Sequence, residues 1–318
     1  MIVGRIVVAA AVLLAGAAQA QSPETLAWLR KIYEASQKLS YTGTFVYQQG
    51  ARSETSRITR YGAGDIERLE VLDGVPREIV RTRDTLRCYL PDTKVVKVET
   101  RAADRNFPAL LPEQVGALAR HYDISLGETR RIAGFDCQAV LLTPKDDLRY
   151  GYRLYADSGS GMLLKAVTVD ASGQPVEQIS FTQLTIGNVT REMVRPRHAV
   201  ATWRIDNAEA SPAHLTGWGL SAELPGFRKI VELKRRLGES RQAGQVVYSD
   251  GLAAVSVFIE PLDTPARRES MRTGLASVGA IHIYTREVAN HMVTVVGEAP
   301  AASVQRIANA VEYRETKK

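Results

Sequence analysis

The chain has 318 residues, a length that favours two domains, and its 45% apolar and 24% charged residues suit packed globular domains rather than disorder. Against 35 acidic residues stand 41 basic ones, a net charge of +6 and a mild bias toward acidic partners. The excess is dispersed, with no RNP-type aromatic motif and no basic run long enough to track phosphates, so nothing points to nucleic acid.

Residues 1–20 place Arg5 before an apolar run and end on Ala18-Gln19-Ala20, an A-x-A cleavage site. This pattern is a secretory signal peptide with the mature chain starting at Gln21; the alternative is an uncleaved anchor. Nothing later reaches 18 consecutive apolar residues, so the mature chain reads as a soluble exported protein. Only Cys88 and Cys137 supply thiols. An oxidising compartment allows them to pair, for about 4 kcal/mol in the loop-entropy model, and the alternative is two buried free thiols.

Ser22-Pro23-Glu24 opens a helix, with a capping hydroxyl, proline at the first helical position and a carboxylate at the positive end of the dipole. Tyr41, Gly43, Phe45 and Tyr47 then alternate with Thr42, Thr44, Val46 and Gln48, which predicts a strand with an aromatic face. Short runs over 52–99, separated by turn chemistry at 62–65, 73–74, 83–84 and 91–92, predict an antiparallel meander. The segment 107–122 interrupts it: Pro108 and Pro112 punctuate, while Val115, Leu118, Ala119 and Tyr122 share a helical face. A second meander is expected over 124–186. So many consecutive antiparallel strands cannot stay flat, and they curl into a barrel or a partly open one, with the two helices available to lie across the hollow. Periodicity fades over 188–212, the best linker candidate, in which 199–205 can add a strand to either domain.

The remainder reads as α+β. Its strongest local signal is 244–260, GQVVYSDGLAAVSVFIE, two β-branched runs meeting at Asp250-Gly251, the chemistry of a type I′ hairpin turn. Strands are expected at 227–233, 281–285 and 291–297, and Pro300 starts a helix with Val304, Ile307, Ala308 and Val311 on one face.

Together with GAIHIYTREVANHMVTVVGEAPAASVQRIANAV at 279–311, the hairpin text resembles the C-terminal domain of the RseB/MucB family, and the likeness extends weakly over the mature chain. The resemblance implies a mainly β fold with α+β: a LolA/LolB-like open β-barrel with covering helices at 21–190, a linker at 191–212, and a smaller α+β domain at 213–318. It also implies a periplasmic regulator that binds the periplasmic domain of a membrane anti-sigma factor, shields it from site-1 proteolysis, and senses lipoprotein acyl chains or lipopolysaccharide. The competing reading is a periplasmic lipoprotein or lipid carrier of LolA type. Homo-oligomerisation stays open.

A search for catalytic chemistry finds no HExxH, G-x-S-x-G, P-loop or CxxC, no third glycine after Gly62-Ala63-Gly64, and five histidines that never stand in ligand spacing. The reading is therefore a binding protein, with neither cofactor nor metal expected. Three surfaces remain. Phe45, Tyr47, Phe107, Leu110, Leu111, Val115 and Leu118 are the lid and wall of an acyl-chain cavity, or a filled core. Lys229, Lys234, Arg235 and Arg236 are a contact for an acidic peptide or phosphates, or a solvated strand end. Tyr248 and Asp250 are a peptide contact at the hairpin tip, or turn formers and packing residues only.

Overall fold

The computed structural model describes residues 22–100, 107–207, 210–222, 224–237 and 241–315; the signal peptide 1–20 and the start at Gln21 lie outside them. Helix α1 (Pro23–Lys38) begins where expected, Ser22 Oγ accepting the Thr25 amide at 3.2 Å. Its buried face carries Leu29 and Ile32.

The first meander is β1 (Tyr41–Gln49), β2 (Arg52–Tyr61), β3 (Ile66–Val71), β4 (Glu78–Arg81), β5 (Thr85–Leu90) and β6 (Val95–Thr100). The second is β7 (Tyr122–Ile132), β8 (Phe135–Pro144), β9 (Gly151–Asp157), β10 (Leu163–Val169) and β11 (Pro175–Ile186). Strand β1 joins them by pairing with β2 on one side and β11 on the other. With β12 (Arg204–Asn207) added parallel to β6, the described residues form a twelve-stranded sheet whose outer strands are β12 and β7. The sheet is thus open. It is also curled, because α1 touches β7, β8 and β10 on one half and the 62–64 turn that follows β2 on the other. Leu29, Tyr41, Ile58, Cys137 and Phe181 meet in the core beneath it.

Over 107–122 the structure departs from the expected helix. Only one short 3₁₀ stretch forms, at Val115–Arg120, and Tyr122 already begins β7. Pro108, Pro112 and Gly116 leave no run long enough to nucleate α-helix, yet i,i+3 spacing still turns Val115 and Leu118 inward.

The 188–212 stretch contributes β12 to the large sheet and β13 (Ala210–Pro212) to a second one. That second sheet also holds β15 (Arg228–Leu237), β16 (Arg241–Ser249), β17 (Ala254–Pro261), β18 (Gly274–Val278), β19 (Ile281–Val288) and β20 (His291–Gly297). Its order is β13-β15-β16-β17-β20-β19-β18. A two-stranded ribbon pairs β14 (Trp218–Leu220) with β21 (Val311–Tyr313). Helix α2 (Pro265–Ser270) is short, and α3 (Ala301–Ala310) packs Val304, Ile307 and Ala308 over β19 and β20. The 244–260 hairpin forms in register, Ser249 opposite Ala254, but its turn has four residues and is not type I′. Only Gly251 has positive φ there, at 107°, and Asp250 Oδ1 instead accepts the amides of Leu252 and Ala253 at 2.9 and 2.8 Å. Two-residue turn geometry appears at Ala289-Asn290, with φ of 46° and 62°.

Candidate binding site

Six of the seven lid and wall candidates, all but Tyr47, do converge, but on each other. Rings of Phe45, Phe107 and Phe181 lie 5.2 to 5.9 Å apart by centroid, and Leu111, Val115 and Leu118 are buried in the same cluster. Leu110 packs at its margin. Tyr47 is half-buried, its hydroxyl donating to Glu177 Oε2 at 2.8 Å; burial and that carboxylate both push the phenol upward. Mutual aromatic packing fills the hollow beneath the lid, so these side chains are core in this conformation rather than the lining of an open cavity.

The hairpin tip meets the N-terminal domain at a polar seam. Arg149, in the loop between β8 and β9, sets Nε 3.3 Å from Asp250 Oδ2 and Nη1 3.4 Å from Asp146 Oδ2. Its Nη2 donates to the Pro225 carbonyl at 2.5 Å, and its guanidinium lies over the rings of Phe227 and Tyr122. Tyr122 Oη also donates to Asp250 Oδ2, at 3.2 Å. The side chains of Arg149 and Asp250 are both 0% exposed. Apolar side chains cross the seam in both directions: Leu252 of the tip packs on the N-terminal core, and Leu148 lies within the C-terminal one. Ser303 Oγ donates to the Leu148 carbonyl at 2.6 Å. Gly226 has φ of 82°, and a Cβ there would stand 2.5 Å from His121 Nε2, so the 224–227 turn fits against the histidine only as glycine. Burial and then Arg149 lower the His121 pKa, and burial lowers that of His282, whose Nε2 lies 3.0 Å from the Tyr150 hydroxyl.

Asp250 therefore corrects the sequence reading. Its carboxylate is spent on its own turn, on Tyr122 and on Arg149, and none of it faces solvent. Tyr248 lies on the sheet face of the C-terminal domain and lines a cavity of about 320 Å³. The floor is Val246, Tyr248, Val257 and Ile259; Trp218, Leu220, Phe227, Ile307 and Val311 wall it, and Arg228, Lys229 and Glu232 stand at its polar side. Lys229 Nζ pairs with Glu232 Oε2 at 2.6 Å, and Glu232 Oε1 accepts the Leu215 amide at 2.6 Å, contacts that hold the Glu232 carboxyl below its usual range despite burial.

The basic run does not act as one patch. Lys229 is at the cavity, whereas Arg235 donates to Gln245 and reaches to 4.0 Å from Glu99 of the large sheet; Lys234 and Arg236 are exposed. The bridge between Cys88 and Cys137 is not made: both are free thiols, on β5 and β8, and burial pushes Cys137 up to about 11. Sequence reasoning missed Arg149 and Leu148, because Asp146-Asp147 reads as a solvated turn and Arg149 as the first residue of a strand over 149–156, which begins instead at Gly151. The available signal was Leu148-Arg149-Tyr150, large side chains with no partner in a loop that otherwise needs none.

Comparison with known proteins accounts for nearly all of the chain. The MucB/RseB N-terminal domain family matches residues 24–211 and the MucB/RseB C-terminal domain family residues 212–312. The sigma factor AlgU regulatory protein MucB of Pseudomonas aeruginosa is 30% identical over 296 residues, covering 92% of each chain. The sigma-E factor regulatory protein RseB of Salmonella typhimurium is 27% identical over 313 residues, 96% of each. A crystal structure of MucB in complex with MucA(peri) matches with TM-score 0.69 and 29% identity, covering 91% of this chain and 99% of that one. The Pseudomonas aeruginosa MucA/MucB complex matches with TM-score 0.71 and 27% identity, covering 92% and 100%.

Proposed function

This chain belongs to the MucB/RseB family, and we propose that it binds the periplasmic domain of a membrane anti-sigma factor of the RseA/MucA kind. Binding shields that domain from the site-1 protease and keeps the envelope-stress sigma factor sequestered. The observation that carries this reading is the match of both domains, in one chain, to MucB structures that hold MucA. A lipid carrier needs only the curled sheet, whereas here a second domain is keyed into it through Arg149, Asp250, Leu148 and Leu252. The signal-peptide pattern at 1–20 directs the chain to the periplasm, where such a segment is exposed.

Lipoprotein acyl chains or lipopolysaccharide act as the release signal. To enter the N-terminal hollow an acyl chain must displace Phe107, Leu111, Val115 and Leu118 from the core they now occupy. Such a ligand shifts the equilibrium only by its preference for the released form over the anti-sigma-bound form. Displacing the 107–118 segment supplies a preference of that kind, since Pro112 and Leu118 lie against Gly251 of the hairpin tip.

A protease-protection assay tests the proposal: the anti-sigma periplasmic domain is cut by the site-1 protease with and without this chain. Slower cleavage in its presence is expected; an unchanged rate contradicts shielding.

A further inference from the structure

Strands β2, β3 and β4 carry two rows of side chains next to each other on the face turned to α1. Register sets Ile58, Leu69 and Ile79 opposite one another, and two residues along, on the same face by strand alternation, Arg60, Glu67 and Arg81. The first row runs into the core, in which Ile58 is fully buried and Leu69 packs at the margin. The second is charged yet nearly as enclosed, the side chains of Arg60, Glu67 and Arg81 being 9%, 11% and 12% exposed. With Ser36 and Gln37 of α1, Asp65 and Ala109, this row lines a cavity of about 60 Å³ at the rim of the hollow.

Local structure accounts for part of the row. Arg60 Nη2 donates to the Gln37 carbonyl at 3.0 Å and to Asp65 Oδ1 at 2.9 Å, which ties the last turn of α1 to the sheet. The Gly62 amide donates to Ser40 Oγ at 3.0 Å and so holds the turn that carries Asp65 against the helix end. Arg81 ties nothing down: among the described residues its side chain makes one bond, from Nη1 to Glu67 Oε1 at 2.5 Å. The Nε atoms of both arginines are buried and have no partner among the described residues. A buried donor left unbonded is costly, and native structures keep few of them. Charge in the row is balanced, two arginines against Asp65 and Glu67, but donors are in excess. The group that satisfies them brings acceptor oxygens and matches the planar edge of a guanidinium.

We propose that this rim cavity binds an oxyanion, a phosphate monoester or a carboxylate, to which Arg81 presents its unused edge and Arg60 its Nε. Charge-assisted bonds to the oxyanion satisfy both buried donors while Asp65 and Glu67 keep the arginines in place. The charged row adjoins the apolar one on a single face, and Ala109 is followed by Leu110 and Leu111 of the segment that packs on the core. The oxyanion is therefore either free or the head of a ligand whose tail lies along Ile58, Leu69 and Ile79. The second form rests on the proposed release signal and gives its polar end a place; the first stands without it.

Calorimetric titration of the full mature chain with inorganic phosphate, decyl phosphate and decyl glucoside, the two amphiphiles below their micelle concentrations, tests the site. Decyl phosphate should bind roughly tenfold tighter than decyl glucoside, and Arg81→Gln should remove that difference while the glucoside affinity holds. Inorganic phosphate that binds the wild type and not Arg81→Gln identifies a free anion as a ligand; decyl phosphate without inorganic phosphate identifies a headgroup. Should Arg81→Gln unfold because Glu67 is left buried without its partner, Glu67→Gln with Arg81→Gln keeps the row neutral and decides by the same comparison. Equal affinity for the two amphiphiles with no binding of inorganic phosphate overturns the oxyanion site and leaves acyl entry standing. Failure of both amphiphiles to bind contradicts acyl entry, and the oxyanion site then stands or falls on inorganic phosphate alone. Binding of either phosphate that Arg81→Gln leaves unchanged overturns the site.

Discussion

The large sheet lays α1 and the 107–120 segment over its concave face, and rings of Phe45, Phe107 and Phe181 close the space between them. The C-terminal sheet has α3 over three of its seven strands, β18 to β20 at one end, and a cavity of about 320 Å³ opens over β15, β16 and β17. An apolar sheet face is closed by the area of what covers it, not by its strand count. The domain whose shape suggests a container is filled, and the smaller domain holds the void.

Between these regions lies the seam, and breaking it carries the largest expected effect. Asp250→Ala removes the carboxylate from a fully buried guanidinium, at a cost of about 3–5 kcal/mol. Denaturant unfolding measures it, and the double change Asp250→Ala with Arg149→Leu should recover most of the loss, because no uncompensated charge then stays buried. A single change as damaging as, or less damaging than, the double would remove the seam from this account.

Truncation in the filled face comes next. Leu118→Ala leaves a hole among packed side chains and should cost about 2–5 kcal/mol in the same measurement. Enlargement sharpens the contrast. Ala139→Phe in the packed N-terminal core should cost about 1–3 kcal/mol, whereas Val257→Phe, which grows into existing space, should stay within about 1 kcal/mol of wild type. Equal costs at the two positions would contradict the comparison.

The smallest effect is pH. His121 and His282 face the seam with pKa values lowered by burial, His121 also by Arg149. Unfolded, each titrates near 6.5, so below that pH the unfolded chain binds more protons and stability falls as pH drops toward the lowered folded values. Above 6.5 both are neutral in either state and contribute no slope. Thermal midpoints between pH 7.5 and 5.5 should fall with acid, and replacing both histidines with Gln should flatten that part of the profile.

Much of this architecture was legible in local chemistry. Turn residues every few positions marked the two meanders, and 3.6-residue spacing marked α1 and the inward face of α3, because those patterns depend on near neighbours. The 107–122 segment misled because its apolar spacing is helical while its prolines and Gly116 forbid more than a short 3₁₀ stretch. Asp250 misled for another reason: a turn former and a buried ion-pair partner look alike until the fold brings Arg149 to it across the chain. Likewise Lys229 and Tyr248 were named for charge and exposure, and what joins them at one cavity is a bulge at Ile230 that no periodicity announces.

Hydrogen exchange along the full mature chain, with and without the anti-sigma periplasmic domain, tests the central claim most directly. The expected result is new protection in the presence of the partner; an exchange pattern that the partner leaves unchanged along the whole chain would contradict the account.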